Sequence, residues 1–343
     1  MNLKERILKN STIKHTSILA DSKFFNNRDF VVTDIPMINV ALSGEIDGGF
    51  GAGLTMISGP SKHFKTGFSL VFARAFLNKY DDAVILLYDS EFGSPEEYFK
   101  NFDIDLDRVI HSPITDVEQL KFDIMKQLAE LSEKDKVLIL IDSIGNLASK
   151  KEVEDALNEK SVADMSRAKQ FKSLFRMVTP HLRLKNIPLI AINHTYKEIG
   201  LFPKDIVSGG TGGIYSSDTI WILGRQQDKQ GTEIAGYNFI INVEKSRYVR
   251  EKSKIPISIS WEEGLNKWSG FLEQALEFGC VVKTKPGWYA SVIDGVQSET
   301  SYREKQILRN DEFWLDILQK TQLAEHIKSK YKIGYRHEEP AVV

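Results

Sequence analysis

The chain has 343 residues, 42% of them hydrophobic, which suffices for one large globular domain with one or two small ones. It has no run of about 18 apolar residues and no signal-peptide core, so we expect a soluble cytoplasmic protein without a membrane partner. The single cysteine, Cys280, excludes an intramolecular disulfide and argues against a Cys-based zinc site. A net charge of −2 excludes a protein that coats duplex DNA by bulk charge alone, although a local basic groove remains compatible with it.

The first 30 residues predict a helix from Leu3 to Asn10 followed by a turn, with Ile7 and Leu8 on one side of the helix. Such a segment is too small to fold alone. It must therefore pack on its own core or on a neighbouring protomer. We define residues 1–30 as the N-terminal segment.

Residues 31–270 alternate short apolar runs with helical patterns, which predicts an α/β fold. Continuous Val/Ile/Leu runs are typical of buried parallel strands. We therefore predict a mostly parallel, doubly wound sheet, with an antiparallel extension where the last strands follow closely. The predicted strands lie near residues 54–58, 83–88, 136–141, 187–193, 219–223, 237–243 and 255–261.

The strand at 54–58 leads into Gly-Pro-Ser-Lys-His-Phe-Lys-Thr and then a helix, the setting of a phosphate-binding loop. In such a loop backbone N–H groups surround the phosphates, while Lys65 would neutralise them and Thr66 would bind Mg²⁺. Phe64 stands where the pattern has Gly with positive φ, at a cost of about 1 kcal/mol or more. Taken alone, the octapeptide is also compatible with an ordinary strand-to-helix turn. The predicted nucleotide-binding residues of this loop are Gly59, Pro60, Ser61, Lys62, His63, Phe64, Lys65 and Thr66.

Acidic residues follow two further strands. Asp89 and Glu91 come after the strand at 83–88, and Asp142 ends the strand at 136–141. The carboxyl ends of parallel strands gather at one sheet edge, so these carboxylates should lie beside the P-loop. There they can hold a Mg²⁺ shell or polarise a water molecule.

Two stretches, 148–164 and 195–213, fit poorly as helices or strands, and both follow carboxyl ends of strands. Long glycine-containing loops in that position are usually functional. From residue 271 to 343 the pattern changes, with an apolar helix, a turn at 285–289 and a helix from Asp311 to about Lys330, which predicts a small α+β C-terminal domain.

These motifs together resemble the RecA family of DNA strand-exchange recombinases, most closely the UvsX recombinases of T-even-like bacteriophages. The resemblance spans nearly the whole chain, and Phe64 before the P-loop lysine is typical of that branch. It implies a RecA-like ATPase core with an N-terminal oligomerisation segment. The resemblance also rests on the sequences of residues 35–44, 88–93, 141–151, 191–194 and 243–247.

The resemblance also implies roles for single residues. Glu91 would orient the attacking water, and His194, where cellular RecA has Gln, would sense the γ-phosphate. Tyr98 would stack on adenine, or else be a core aromatic. Lys245 and Arg247 would reach the neighbouring protomer's ATP, or else be solvated basic residues at a strand end. With Lys65, Thr66 and Asp142 these residues complete a site for ATP and Mg²⁺.

By the same resemblance, residues 148–164 and 195–213 would be DNA-binding loops. Small residues would approach phosphate, basic residues would supply charge, and Phe202 would wedge between bases or else anchor the core. The implied DNA-binding residues are Arg167, Lys169, Arg176, Phe202, Lys204, Gly212 and Gly213.

The leading hypothesis is an ATP-dependent recombinase that forms a helical filament on single-stranded DNA and pairs it with homologous duplex DNA. Its expected partners are DNA, further copies of itself, a recombination mediator and a single-strand-binding protein, in the cytoplasm of a bacterial host. The alternatives are a RecA-fold ring helicase or DNA translocase, and a non-catalytic filament scaffold. Relatives often continue into an acidic tail and this chain ends at Val343, so we expect no tail-based regulation.

Overall fold

A computed structural model describes residues 1–22, 29–159, 166–198, 204–230, 232–262 and 264–335. The chain divides into two compact units, Met1–Phe30 and Val31–Val343. The second unit contains three sheets among its described residues, with nine, four and two strands. Our boundary at residue 270, between the predicted core and C-terminal domain, stays a prediction.

In the first unit, helix α1 spans Leu3–Asn10, as predicted. A capping box starts it: the Glu5 N–H donates to Asn2 Oδ1 at 3.0 Å, and the Asn2 N–H donates to Glu5 Oε2 at 2.9 Å. No residue of α1 is buried, and Leu3 and Ile7 are largely exposed. The helix thus owes its start to local capping rather than to a core of its own.

The second unit is built on a nine-stranded sheet in the order β11-β10-β9-β8-β1-β5-β4-β2-β3. Pairings among β1, β2, β3, β4, β5 and β8 are parallel, whereas β8 to β11 pair antiparallel. The predicted parallel sheet with an antiparallel extension is therefore confirmed. The strands are β1 (Gly53–Ser58), β2 (Val84–Asp89), β3 (Val109–Pro113), β4 (Val137–Asp142), β5 (Pro188–Asn193), β6 (Thr195–Lys197), β7 (Asp205–Val207), β8 (Thr219–Gln230), β9 (Glu233–Lys245), β10 (Lys254–Ser260) and β11 (Gly264–Leu265).

Helices accompany the sheet, with one apolar core containing residues of α2 and α3 and a second containing residues of α5 and α7. Strands β1 and β5 are buried on both faces, which explains their mostly apolar sequences. The helices are α2 (Pro36–Ser43), α3 (Lys65–Lys79), α4 (Glu96–Lys100), α5 (Val117–Glu130), α6 (Lys150–Leu157), α7 (Ser166–Leu184) and α8 (Thr211–Ser216).

Three regions contain helices or strands that the sequence did not predict. Strand β3 lies at the sheet edge, and its polar, half-exposed side chains lack a continuous apolar run. Helix α6 occupies much of the stretch 148–164, starting at a capping box made by Ser149 and Glu152. The stretch 195–213 contains the hairpin β6–β7 and the start of α8. Neither stretch is therefore structureless where it is described.

The C-terminal part is α+β, as predicted, with a small antiparallel sheet and helices packed around Trp314. The predicted single helix from Asp311 to Lys330 was wrong: Thr321 has an extended backbone and ends the first of two helices. The elements are α9 (Phe271–Phe278), β12 (Val281–Lys285), β13 (Trp288–Ile293), β14 (Val296–Gln297), β15 (Tyr302–Arg303), α10 (Glu304–Ile307), α11 (Asp311–Lys320) and α12 (Leu323–Tyr331).

Candidate nucleotide site and DNA interface

The loop between β1 and α3 has the backbone of an anion-binding nest. Lys62 and Phe64 have φ values of 60° and 59°, so left-handed residues recur at alternate positions just before α3. Such alternation turns successive N–H groups toward one concavity, and the helix N-terminus adds its positive dipole. The Lys65 ammonium donates to the Pro60 carbonyl at 2.8 Å, and burial lowers the pKa of Lys65.

Phe64, the departure from the usual P-loop pattern, is held in place by other aromatic rings. Its ring stacks on Phe239 with centroids 5.4 Å apart, and it meets Phe68 edge-on at 5.6 Å. A third ring, Phe102, lies 5.9 Å away. These contacts offset the strain of a bulky residue at positive φ, because aromatic pairs add about 0.5–1.5 kcal/mol each beyond their burial.

Thr66 and Asp142 meet at the carboxyl edge of the sheet, as predicted. The Thr66 hydroxyl donates to Asp142 Oδ2 at 2.7 Å. The other oxygen, Oδ1, is buried and has no hydrogen-bond partner among the described residues. Burial raises the pKa of Asp142 to about 6. A buried carboxylate oxygen without a partner, next to a hydroxyl, fits a Mg²⁺ ion and its water shell.

Glu91 is fixed by both its backbone and its side chain. The N–H groups of Glu91 and Phe92 each donate to Asp89 Oδ1 at 2.9 Å. The Ser143 hydroxyl donates to Glu91 Oε1 at 2.6 Å, and His194 Nε2 lies 3.2 Å from the same oxygen. The hydrogen bond with His194 lowers the pKa of Glu91, burial opposes the shift, and Ser143 adds to it. Glu91 is therefore held as a carboxylate, the form that accepts a proton.

These groups line one cavity of about 550 Å³. Tyr98 lies in its wall on α4, and its ring meets Phe102 edge-on at 5.4 Å. The cavity thus brings together the aromatic ring of Tyr98, the phosphate-binding loop and three carboxylates, which are the groups that a nucleotide and its metal ion require. Its lining includes Ser61, Lys62, His63, Phe64, Lys65, Thr66, Asp89, Glu91, Tyr98, Asp142, His194, Arg225, Tyr237 and Trp261.

Lys245 and Arg247 do not line this cavity. The Lys245 ammonium donates to the carbonyls of Ile214 at 2.8 Å and Tyr215 at 3.2 Å, near the end of α8. Arg247 donates through Nε to the Asp218 carboxylate, and its side chain is 63% exposed. Both cations therefore lie outside their own chain's nucleotide cavity, and their role toward a second protomer stays a prediction.

The basic DNA-binding candidates divide into two groups. Lys169 and Arg176 on α7 and Lys204 before β7 are exposed. Arg167 instead donates to the carbonyls of Leu147 and Gly145, both at 2.6 Å. It therefore fixes the chain after β4, a structural role that the sequence prediction missed.

Gly212 and Gly213 are buried in α8, contrary to the expectation that they approach phosphate. A Cβ on Gly212 would lie 2.6 Å from the Cα of Lys172, and one on Gly213 would lie 2.7 Å from Met56 Cε. Close packing of α8 on α7 and β1 is the physical reason for these glycines. The remaining predicted DNA-binding residue, Phe202, lies outside the described residues.

Comparison with known proteins agrees with this arrangement over most of the chain. The RecA N-terminal domain family matches residues 17–266, and the C-terminal domain family of the bacteriophage T4 recombination and repair protein matches residues 268–327. The recombination and repair protein of Enterobacteria phage T4 is 49% identical over 338 residues, covering 97% of this chain and 86% of that protein. Protein RecA of Mesomycoplasma hyopneumoniae is 26% identical over 293 residues, covering 82% and 85% of the two chains.

The fold and site define a RecA-like ATPase with a P-loop at the carboxyl edge of a parallel sheet. The chain belongs to the RecA family, and its C-terminal part matches the branch represented by phage T4. Within the described residues, no helix is both long and apolar enough to cross a membrane.

The sequence did not indicate every residue of the site. Ser143 directly follows Asp142, so its position in the sequence could have indicated it. Asp218 binds Arg247 from 29 residues away, and no local pattern indicates that contact. Arg225 and Tyr237 enter the cavity from β8 and β9, and Trp261 enters it from the turn after β10. The alternating sequence of these strands carries no nucleotide-binding motif.

Proposed function

We propose that this protein is an ATP-dependent recombinase that assembles on single-stranded DNA and pairs it with homologous duplex DNA. The observation that carries the proposal is the junction of the P-loop nest, Glu91 and Asp142 in one cavity. The same sheet edge leads into the stretches 148–164 and 195–213, so nucleotide and DNA would be bound at connected positions. The identity to the phage T4 protein favours recombination over a ring helicase.

In this site Lys65 and the backbone N–H groups of residues 62–66 bind the phosphates of ATP. Thr66 and Asp142 would hold Mg²⁺, which when bound would neutralise charge on the β- and γ-phosphoryl oxygens. Tyr98 offers its ring to the base. The fit of Asp142 rests on its buried, unpartnered Oδ1.

Hydrolysis requires a water molecule placed in line with the bond that breaks. The Glu91 carboxylate accepts a hydrogen bond from that water, whose oxygen attacks the γ-phosphorus as the bond to the bridging oxygen breaks. Ser143 and His194 hold Glu91 at the edge of the cavity. His194 precedes β6, so a shift in its contact with Glu91 would be passed to the hairpin β6–β7.

Assembly would place Lys245 and Arg247 against the nucleotide of a neighbouring protomer, where added positive charge stabilises the transition state. On assembly, Arg247 would leave Asp218 and Lys245 would leave the carbonyls of α8. The N-terminal segment would dock on the next protomer. A mediator and a single-strand-binding protein would assist loading in the cytoplasm of the bacterial host.

DNA binding would depend on exposed basic residues near these loops, with Lys169, Arg176 and Lys204 as candidates. The matched test is to replace Lys204, and separately Lys229, by Gln and to measure binding to single-stranded DNA at several salt concentrations. We expect Lys204→Gln to weaken binding and to reduce the salt dependence, because one phosphate contact is lost. Lys229→Gln alters an exposed cation on β8, outside both stretches, and should match the unaltered protein.

The function as a whole is tested by two assays on the same preparation. We expect ATP hydrolysis to rise when single-stranded DNA is added, and joint molecules to form between that DNA and homologous duplex. Hydrolysis without joint molecules would favour a helicase or translocase. DNA binding without hydrolysis would favour a scaffold.

A further inference from the structure

Strand β8 continues past the end of β1 and runs beside the phosphate-binding loop. Ser58, the last residue of β1, is paired with Ile222. The next residue of β8 supports the loop: a Cβ on Gly59 would lie 3.3 Å from the Cβ of Leu223. Arg225 therefore extends from a strand that is fixed against the base of the loop.

The Arg225 guanidinium contacts the phosphate-binding loop directly. One of its terminal N–H groups donates to the Lys62 carbonyl at 3.0 Å. Among the described residues no carboxylate pairs with Arg225, and its charge contributes to lowering the pKa of His63 in the loop, behind burial as the largest cause. Arg225 is thus a cation at the nucleotide cavity whose charge is not neutralised by a described acidic neighbour.

Aromatic contacts fix the orientation of this guanidinium. Its Cζ lies 4.5 Å from the centre of the Tyr237 ring, a cation–π arrangement. Tyr237 is met edge-on by Trp261 at 5.2 Å, and the Trp261 indole N–H donates to the Ile234 carbonyl at 3.0 Å. An Arg that is held in this way loses less conformational freedom when it binds an anion.

We propose that Arg225 is a further nucleotide-binding residue, which binds the β- and γ-phosphoryl groups from the same chain that supplies the P-loop. The inference rests on the proposed ATP site. A guanidinium suits this role because its planar donors match phosphate oxygens in pairs. Arg225 would add a second fixed cation to Lys65.

The test compares dissociation constants for ATP, ADP and AMP without DNA in the full chain and three variants, Arg225→Gln, Arg225→Lys and Lys229→Gln. Arg225→Gln removes the charge and retains a hydrogen-bond donor for the Lys62 carbonyl, whereas Arg225→Lys retains the charge. Lys229→Gln is the control, because Lys229 is an exposed cation on the same strand that does not line the cavity. We expect Arg225→Gln to raise the constants for ATP and ADP about tenfold, equivalent to about 1.4 kcal/mol, and that for AMP much less. Arg225→Lys should raise the constants for ATP and ADP by a smaller factor, and Lys229→Gln should leave all three constants unchanged.

An unchanged constant for ATP in Arg225→Gln would overturn the proposal. Equal weakening of all three nucleotides would also overturn it, because Arg225 would then act only by shaping the loop through Lys62. If Arg225→Gln does not fold, Tyr237→Leu provides a second variant, because it removes the ring that orients the Arg225 guanidinium. An unchanged dissociation constant for ATP in Tyr237→Leu would contradict the proposal. Failure of the proposed ATP site would give a different result from failure of the Arg225 proposal. In that case the unaltered protein would not bind ATP, and Lys65→Ala would not change ATP binding.

Discussion

Glu91 and His194 are in contact at the carboxyl edge of the sheet, with Oε1 of the carboxylate 3.2 Å from Nε2 of the imidazole. The contact joins the end of β2 to the residue that follows β5. It places Glu91, the residue that we propose to orient the attacking water, beside the residue that leads into the hairpin β6–β7. We propose that ATP hydrolysis and the conformation of that hairpin are connected through this pair of side chains.

If Glu91 orients the attacking water, Glu91→Gln should lower kcat for ATP by on the order of 10²- to 10⁴-fold, because an amide is a poor acceptor for the water proton. Binding of ATP should change little, since the P-loop is intact. Glu97→Gln, an exposed carboxylate on α4, serves as the control and should retain normal turnover. Steady-state kinetics with saturating single-stranded DNA measure both, and near-normal kcat in Glu91→Gln would contradict the assignment.

Phe64→Gly and Lys65→Ala should fail in different ways. Gly accepts the left-handed backbone of residue 64, so nucleotide binding should persist, while loss of contacts with Phe68 and Phe239 should lower the free energy of unfolding by about 1–3 kcal/mol. Lys65→Ala removes the charge that faces phosphate and should abolish hydrolysis. Denaturant unfolding and ATP binding measured on both variants separate the two effects. Unaltered stability in Phe64→Gly would show that the aromatic packing does not support the loop.

Asp142 should destabilise the nucleotide-free protein at neutral pH. Its folded pKa of about 6 lies above the ordinary value near 3.8, so the folded state binds its proton more tightly, and stability falls as pH rises between these values. Asp142→Asn should therefore raise the free energy of unfolding by about 2–3 kcal/mol at pH 7.5, with a smaller gain near pH 4. Asp316→Asn, at a half-exposed carboxylate on α11 that pairs with Lys320, is the control. A gain independent of pH would contradict this account.

Deleting residues 1–27 should leave a folded protein that no longer assembles. Helix α1 buries none of its residues, so its removal takes no side chain from the core of the second unit. Thermal unfolding should remain cooperative, whereas electron microscopy with single-stranded DNA and a non-hydrolysable ATP analogue should show no filaments. Continuous filaments from the shortened chain would contradict the assembly role of the segment.

The parallel sheet and the P-loop could be predicted because their signals are local. Continuous apolar runs indicate the strands. Asp142 and Glu91 lie at or just after the end of such a run, and Lys65 and Thr66 follow the first run after a short loop. Strand β3 could not be predicted in the same way, because an edge strand is half exposed and its sequence mixes polar and apolar residues.

Contacts between distant residues set the limit of prediction at the site. The resemblance to the RecA family implies DNA-binding roles for Arg167 and Gly213. In the structure Arg167 binds carbonyls after β4, and Gly213 packs beside Phe175. Both outcomes depend on how α7 and α8 pack on the sheet, which no short motif records.

The central claim is that two protomers share each active site, and mixing two inactive variants tests it most directly. Lys65→Ala lacks a working P-loop, and Arg247→Ala lacks the cation that we expect to serve the neighbour. In a random mixed filament about a quarter of interfaces would pair an intact P-loop with an intact Arg247, so DNA-dependent ATP hydrolysis should return to a measurable fraction of the unaltered rate. A mixture no more active than either variant alone would contradict the shared site.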